Sequence, residues 1–172
     1  SKVKLVMDRG FYSEGNINAL FKDHVKFLIA SKMSLSFIRQ NLEPIYEQFR
    51  SYDCFNEKYE LYYHTVQTEW AYTQYRPYKG DTISEPRRIY VHYYYNIDKA
   101  ADDEKAFDRR LLGLRRELES GKRVPEHEKL YRKFFEIKTT PKRGTKATVK
   151  EEEVAKAKRY FGFFVLVSNE TM

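Results

Sequence analysis

Asp8 is the residue of this chain best placed to do chemistry. It closes the apolar run Val3-Lys4-Leu5-Val6-Met7 and is followed at once by Arg9 and Gly10. If that run is a strand of an α/β sheet, Asp8 stands at the strand's carboxyl end, where such sheets collect ligands and metals. A carboxylate at that edge suits a divalent cation. Mg²⁺ in particular takes few protein carboxylates and fills its shell with water and phosphate oxygens. Gly10 would let the backbone approach a ligand closely or adopt a positive φ. The same three residues also suit a simple turn in which the Asp8 carboxylate caps backbone N–H groups.

Other polar residues offer less. Arg87-Arg88 and Lys142-Arg143 are basic pairs that fit either phosphate contacts or solvated turns. His24, His64, His92 and His127 have no metal-ligand spacing and read as surface residues of helices and strands. Ser13 reads as a helix cap rather than a nucleophile. Cys54, the only cysteine, excludes an internal disulfide and a cysteine zinc site and reads as a small packing residue. There is no phosphate-binding lysine loop and no dinucleotide glycine fingerprint.

The elements that must hold Asp8 follow from periodicity. Val3–Met7 reads as a strand buried on both faces. Ser13 caps a short amphipathic helix over 14–23, with Ile17, Leu20 and Phe21 on one side. Val25–Ala30 is a second apolar strand. Strand, helix and strand within about 30 residues make a βαβ unit, which requires a parallel pair. Residues 36–52 are helical in spacing, with Pro44 breaking the run. Residues 57–95 alternate at period 2 and are rich in tyrosine, which predicts an antiparallel sheet of about three strands, with Lys79-Gly80-Asp81 and Glu85-Pro86 as turns. Residues 98–120 are a long helix ended by Gly121. A short helix from Pro125 and a strand over 134–138 follow, then a basic loop over 139–146. Thr148-Val149-Lys150-Glu151 reads as a capping box opening a helix to Lys158. Phe163–Val167 is a last buried strand. The fold class is therefore mixed α/β, a parallel core interrupted by an α+β excursion.

Composition bounds the rest. The chain has 172 residues and a formal net charge of +7, which favours a polyanionic partner. Aromatic residues make up 16%, too many for a disordered chain. No apolar stretch approaches the roughly 20 residues of a membrane span, and no secretory signal is present, so no membrane partner is expected and a cytoplasmic location is the default. The chain opens on Ser1 almost directly before a strand and stops on polar residues just after one. It therefore reads as a piece of a longer protein, with Ser1 left by a tag.

Two segments together resemble a known family. Leu5-Val6-Met7-Asp8-Arg9-Gly10-Phe11-Tyr12-Ser13, with Asn16-Ile17, Leu20 and Val25–Ala30, looks like the second-aspartate region of bacterial insertion-sequence transposases of the DDE class. Tyr160–Asn169 resembles the strand that precedes the glutamate helix of the same family. The likeness covers about residues 1–32 and 150–172; the middle matches only in kind, as a β-rich insertion. It implies a partial RNase H-like core over 1–52, an insertion over 53–160 that carries the long helix, and a strand over 161–172 that returns to the core. It implies a transposase that cleaves DNA at transposon ends and transfers strands, with two Mg²⁺ ions held by three carboxylates and no small-molecule cofactor. Asp8 aligns with the second carboxylate. The first aspartate and the glutamate would lie outside this chain, so the fragment alone is expected to be inactive and to bind Mg²⁺ weakly. In the family the insertion contacts DNA ends, which gives Arg87, Arg88, Lys142 and Arg143 a candidate role, alongside Arg9 beside the carboxylate. A second copy covering the exposed strand edges is a candidate partner. The competing readings are a non-catalytic nucleic-acid-binding module and an assembly domain with the tyrosine-rich sheet as its interface.

Overall fold

A computed structural model describes residues 4–170. Val3 and the last two residues, at the ends of the predicted strands, lie outside the described residues. The chain is mixed α/β and divides into two units. One takes the described residues up to Asn96 together with those from Phe163 on; the other is Ile97–Gly162.

The first unit is built on a six-stranded sheet. Its strands are β1 (Lys4–Met7), β2 (Lys26–Ser31), β3 (Phe55–Asn56), β4 (Leu61–Arg76), β5 (Asp81–Tyr95) and, from the far end of the sequence, a strand at Phe163–Ser168. The helix α1 (Glu14–Lys22) connects β1 to β2, and the two strands pair in parallel with Leu5 opposite Phe27 and Met7 opposite Ile29. The crossover is the one the sequence predicts. Ser13 opens α1 by accepting the Asn16 N–H at 3.0 Å, and Glu14 sits in the positively polarised first turn. The returning strand Phe163–Ser168 lies antiparallel between β2 and β5.

The tyrosine-rich region is two long strands with a two-residue third, not three comparable ones. β4 and β5 pair along their whole length from Tyr62–Tyr95 to Arg76–Asp81, and the reversal at 77–80 ends on Gly80 at φ +66°. Glu85-Pro86 is no turn: both residues lie inside β5, opposite Tyr72 and Ala71. Proline is tolerated there because, among the described residues, this half of β5 pairs only with β4 and its other edge carries no strand. The hairpin assigned from sequence to an insertion thus shares a sheet with β1 and β2.

Alternation along these strands buries one sheet face. Phe27 and Ile29 from β2, Ile89, Val91 and Tyr93 from β5, and Val165 and Val167 from the returning strand are all buried. The helix α2 (Ser36–Leu42) adds Ile38 and Leu42, and the Tyr93 hydroxyl donates to the Ile38 carbonyl, fixing helix to sheet. β1 departs from expectation. Leu5 and Val6 are exposed, because β1 is an edge strand with a neighbour on one side only among the described residues.

The second unit packs α3 (Ile97–Glu119) and α4 (Glu128–Phe134) with the hairpin β6 (Phe135–Thr140) and β7 (Gly144–Val149) and the helix α5 (Glu151–Lys158). The returning strand is β8. Leu114, Leu118, Tyr131, Phe134, Phe135, Ala147 and Val154 form the core of this second unit. α3 ends as predicted: Gly121 at φ +73° donates to the Leu118 carbonyl while Lys122 donates to that of Glu117, the paired bonds of a Schellman motif. Two expectations fail here. The predicted basic loop over 139–146 is mostly strand, with only Pro141–Arg143 turning. Thr148 belongs to β7 and does not occupy the cap; Lys150 stands at the N-cap without a side-chain capping bond, its ammonium donating instead to the Arg132 carbonyl at 2.8 Å. The stabilising feature is Glu151-Glu152-Glu153 in the first turn of α5.

Candidate functional site

Asp8 leaves the end of β1 in extended backbone (φ −80°, ψ 179°), and its carboxylate accepts the Gly10 N–H at 2.8 Å. That bond caps a short 3₁₀ turn over Arg9–Phe11, and the Asn16 side chain donates to the Phe11 carbonyl at 2.8 Å. The turn reading of Asp8-Arg9-Gly10 is therefore realised. It does not consume the group: Asp8 is exposed at the lip of a cleft of about 1120 Å³.

The cleft lies along the carboxyl edge of the parallel pair. Lys32 follows β2 directly, so the parallel register brings its backbone to the same edge as Asp8. Arg9 and Glu14 add one charge of each sign. The apolar wall is Phe37, from α2, against Trp70, from β4, with ring centroids 5.5 Å apart in a T-shaped contact. Trp70 is held by Asn18, which accepts the indole N–H at 2.9 Å and donates its own amide to the Thr73 hydroxyl at 2.9 Å. Tyr12 also lines the cleft, and burial pushes its phenol above the ordinary range. The site thus combines two carboxylates and two cations with an aromatic wall.

The donors present do not make a resident magnesium site by themselves. Asp8 and Glu14 are the carboxylates of the cleft, and one Asp8 oxygen already holds the Gly10 amide. Among the described residues no group of three or more His, Cys, Asp or Glu is gathered to hold a metal ion.

The other candidate residues lie elsewhere. Arg87 and Arg88 sit inside β5 rather than in a turn. Arg87 bonds Glu85 at 2.5 Å and lies 5.1 Å from the centre of the Tyr72 ring. Both arginines border a smaller cleft with His24 and Lys26. Lys26 begins β2, whereas Asp8 follows the end of β1, so this cleft is at the opposite end of the parallel pair. Lys142 and Arg143 are exposed in the β6–β7 turn, in the second unit.

Three features escaped the sequence reading. Lys32 was accessible to the logic that singled out Asp8, since both follow neighbouring parallel strands. Trp70 and Phe37 come together only through the sheet order. His92, expected at the surface, is buried on β5 between Thr65 and Ser168, each at 2.8 Å from one ring nitrogen. Ser168 donates its single hydroxyl proton to the Glu170 carbonyl at 2.6 Å, so it must accept from His92 Nε2–H. Burial disfavours the charged ring, and in the neutral ring Nδ1 accepts from the Thr65 hydroxyl.

No helix among the described residues is long and apolar enough to cross a membrane. Comparison with protein-family models, with curated proteins and with solved structures finds no match to this chain.

Proposed function

We propose that the chain is the central part of a DDE-class transposase, with Asp8 as one of its three catalytic carboxylates. The observation that carries this reading is the position of Asp8. It is exposed, directly after the first strand of a parallel pair, at the lip of a cleft that also holds Lys32 and Arg9. Carboxyl edges of parallel strands are where α/β enzymes assemble such sites. The sequence Asp8-Arg9-Gly10-Phe11 and the Tyr160–Asn169 segment add the family likeness. Its RNase H-like character, its cleavage of DNA at transposon ends and its use of Mg²⁺ belong to this proposal. The two further carboxylates would come from parts of a longer protein outside these residues, and the chain alone is expected to be inactive.

In this reading Lys32 and Arg9 hold phosphate oxygens beside the reacting bond, and the Phe37–Trp70 wall excludes water from one side. The test is to read the gene on both sides of this chain. An acidic residue on a strand upstream and a glutamate on a helix downstream support the assignment; a reading frame lacking either removes it.

A further inference from the structure

Tyr12 stands in the wall of the cleft four residues after Asp8, and its backbone is held from both sides. The 3₁₀ turn that begins on the Asp8 carboxylate ends on Tyr12, whose N–H donates to the Arg9 carbonyl at 3.2 Å. Within that turn the Phe11 N–H donates to the Asp8 carbonyl, also at 3.2 Å. The next residue, Ser13, already caps α1. Tyr12 is thus tied to the end of β1 on one side and to the crossover helix on the other, which fixes where its side chain starts relative to Asp8.

Beside Tyr12 lies an unsatisfied group. Ser31, the last residue of β2, is 5% exposed, and its hydroxyl makes no hydrogen bond among the described residues. The residues on either side of it, Ala30 and Lys32, both line the cleft. Buried hydroxyls are paired with few exceptions, and one left unpaired is destabilising. The Tyr12 phenol is the side chain that adjoins Ser31. Each of the two hydroxyls carries one proton. Ser31 has no other acceptor, so its proton is for the phenol oxygen. The phenol's own proton is then left for an acceptor in the cleft. Burial holds the phenol above its ordinary range, against a smaller opposing pull from Ser31, so Tyr12 remains a neutral donor at pH 7.

We infer, resting on the reading of Asp8 as a catalytic carboxylate, that Tyr12 donates its phenolic proton in a hydrogen bond to a non-bridging oxygen of the phosphate being cleaved, and that Ser31 is the positioning residue that orients it. Phosphoryl transfer spreads charge over those oxygens. A donor fixed in place before the reaction binds that charge most strongly in the transition state. Lys32 and Arg9 attract the phosphate at every stage, because their charge is permanent. A neutral phenol adds direction without a further positive charge beside Asp8, so it does not compete with a cation for the carboxylate.

The test is single-turnover cleavage by the full product of the gene on a DNA duplex bearing the end of the proposed element, with the affinity for that duplex measured separately. Tyr12→Phe is expected to lower the cleavage rate of bound DNA by about 10²-fold and to leave the affinity nearly unchanged. Ser31→Ala should lower the rate less. Combined with Tyr12→Phe it should lower the rate no further, because Ser31 acts only through the phenol. Parental cleavage by folded Tyr12→Phe, a loss confined to affinity, or a double variant whose loss is the product of the two single losses overturns the assignment. If Tyr12→Phe does not fold, parental cleavage by Ser31→Ala overturns it instead. Asp8→Asn runs alongside. Its loss of cleavage beside parental cleavage by Tyr12→Phe removes this inference and keeps the reading of Asp8, whereas parental cleavage by Asp8→Asn removes both.

Discussion

The Trp70 indole donates to Asn18 at 2.9 Å, joining the helix that follows Asp8 to the long β4–β5 hairpin across 52 positions of sequence. Because Asn18 also donates to Thr73, a single amide sets how the aromatic wall faces the cleft. Asn18→Ala leaves the indole N–H of a largely buried ring without its partner. The expected loss is about 1–2 kcal/mol. Trp70 is the only tryptophan, so its emission during urea unfolding reports both the lower midpoint and the altered environment in the folded state.

His92 makes the fold sensitive to acid. Burial, reinforced by the charge of Lys4, holds its imidazole below the ordinary value. The folded state therefore binds this proton less readily than the unfolded chain. The stability contributed by neutral His92 is complete above the ordinary value of about 6.5 and is lost as pH falls through the folded value. Urea midpoints measured from pH 8 down to pH 5 should decline across that window. His92→Gln, which cannot titrate, should flatten that part of the decline even though it lowers stability overall.

Two glycines of the second unit should respond with opposite signs. Gly121 holds a left-handed conformation at the end of α3, so Gly121→Ala should cost about 1–2 kcal/mol from backbone strain alone, since no atom lies near the added Cβ. Gly113 sits inside α3, also with open space around a Cβ. Gly113→Ala should gain about 0.5–1 kcal/mol through helix propensity. Thermal melts of the two variants check both signs at once.

Local signals carried the reading of this chain where the structure is local. Ser13 capping α1 and Gly121 ending α3 follow from residues within a few positions of one another, and the parallel β1–β2 pair from one short strand–helix–strand run. The failures involve partners distant in sequence. Leu5 and Val6 look like buried strand residues, yet β1 is an edge and leaves them exposed. Pro86 reads as a turn until β5 proves to have a free edge beside it. His92 is indistinguishable from a surface histidine until β8, 76 residues on, brings Ser168 to it. At the site, Asp8 was legible from its place after an apolar run, whereas the Phe37–Trp70 wall depends on how α2 meets β4.

The proposal that Asp8 is a catalytic carboxylate of a transposase is tested most directly by strand cleavage with the full product of its gene, on a DNA duplex bearing the end of the proposed element, with Asp8→Asn compared to the parent. Asparagine preserves the size of the side chain and an oxygen to accept the Gly10 N–H, so folding and end binding should persist. Loss of a catalytic carboxylate of this kind is expected to lower the cleavage rate by at least about 10³-fold, roughly 4 kcal/mol of transition-state stabilisation. Cleavage at the parental rate by a folded, DNA-bound Asp8→Asn protein would contradict the account.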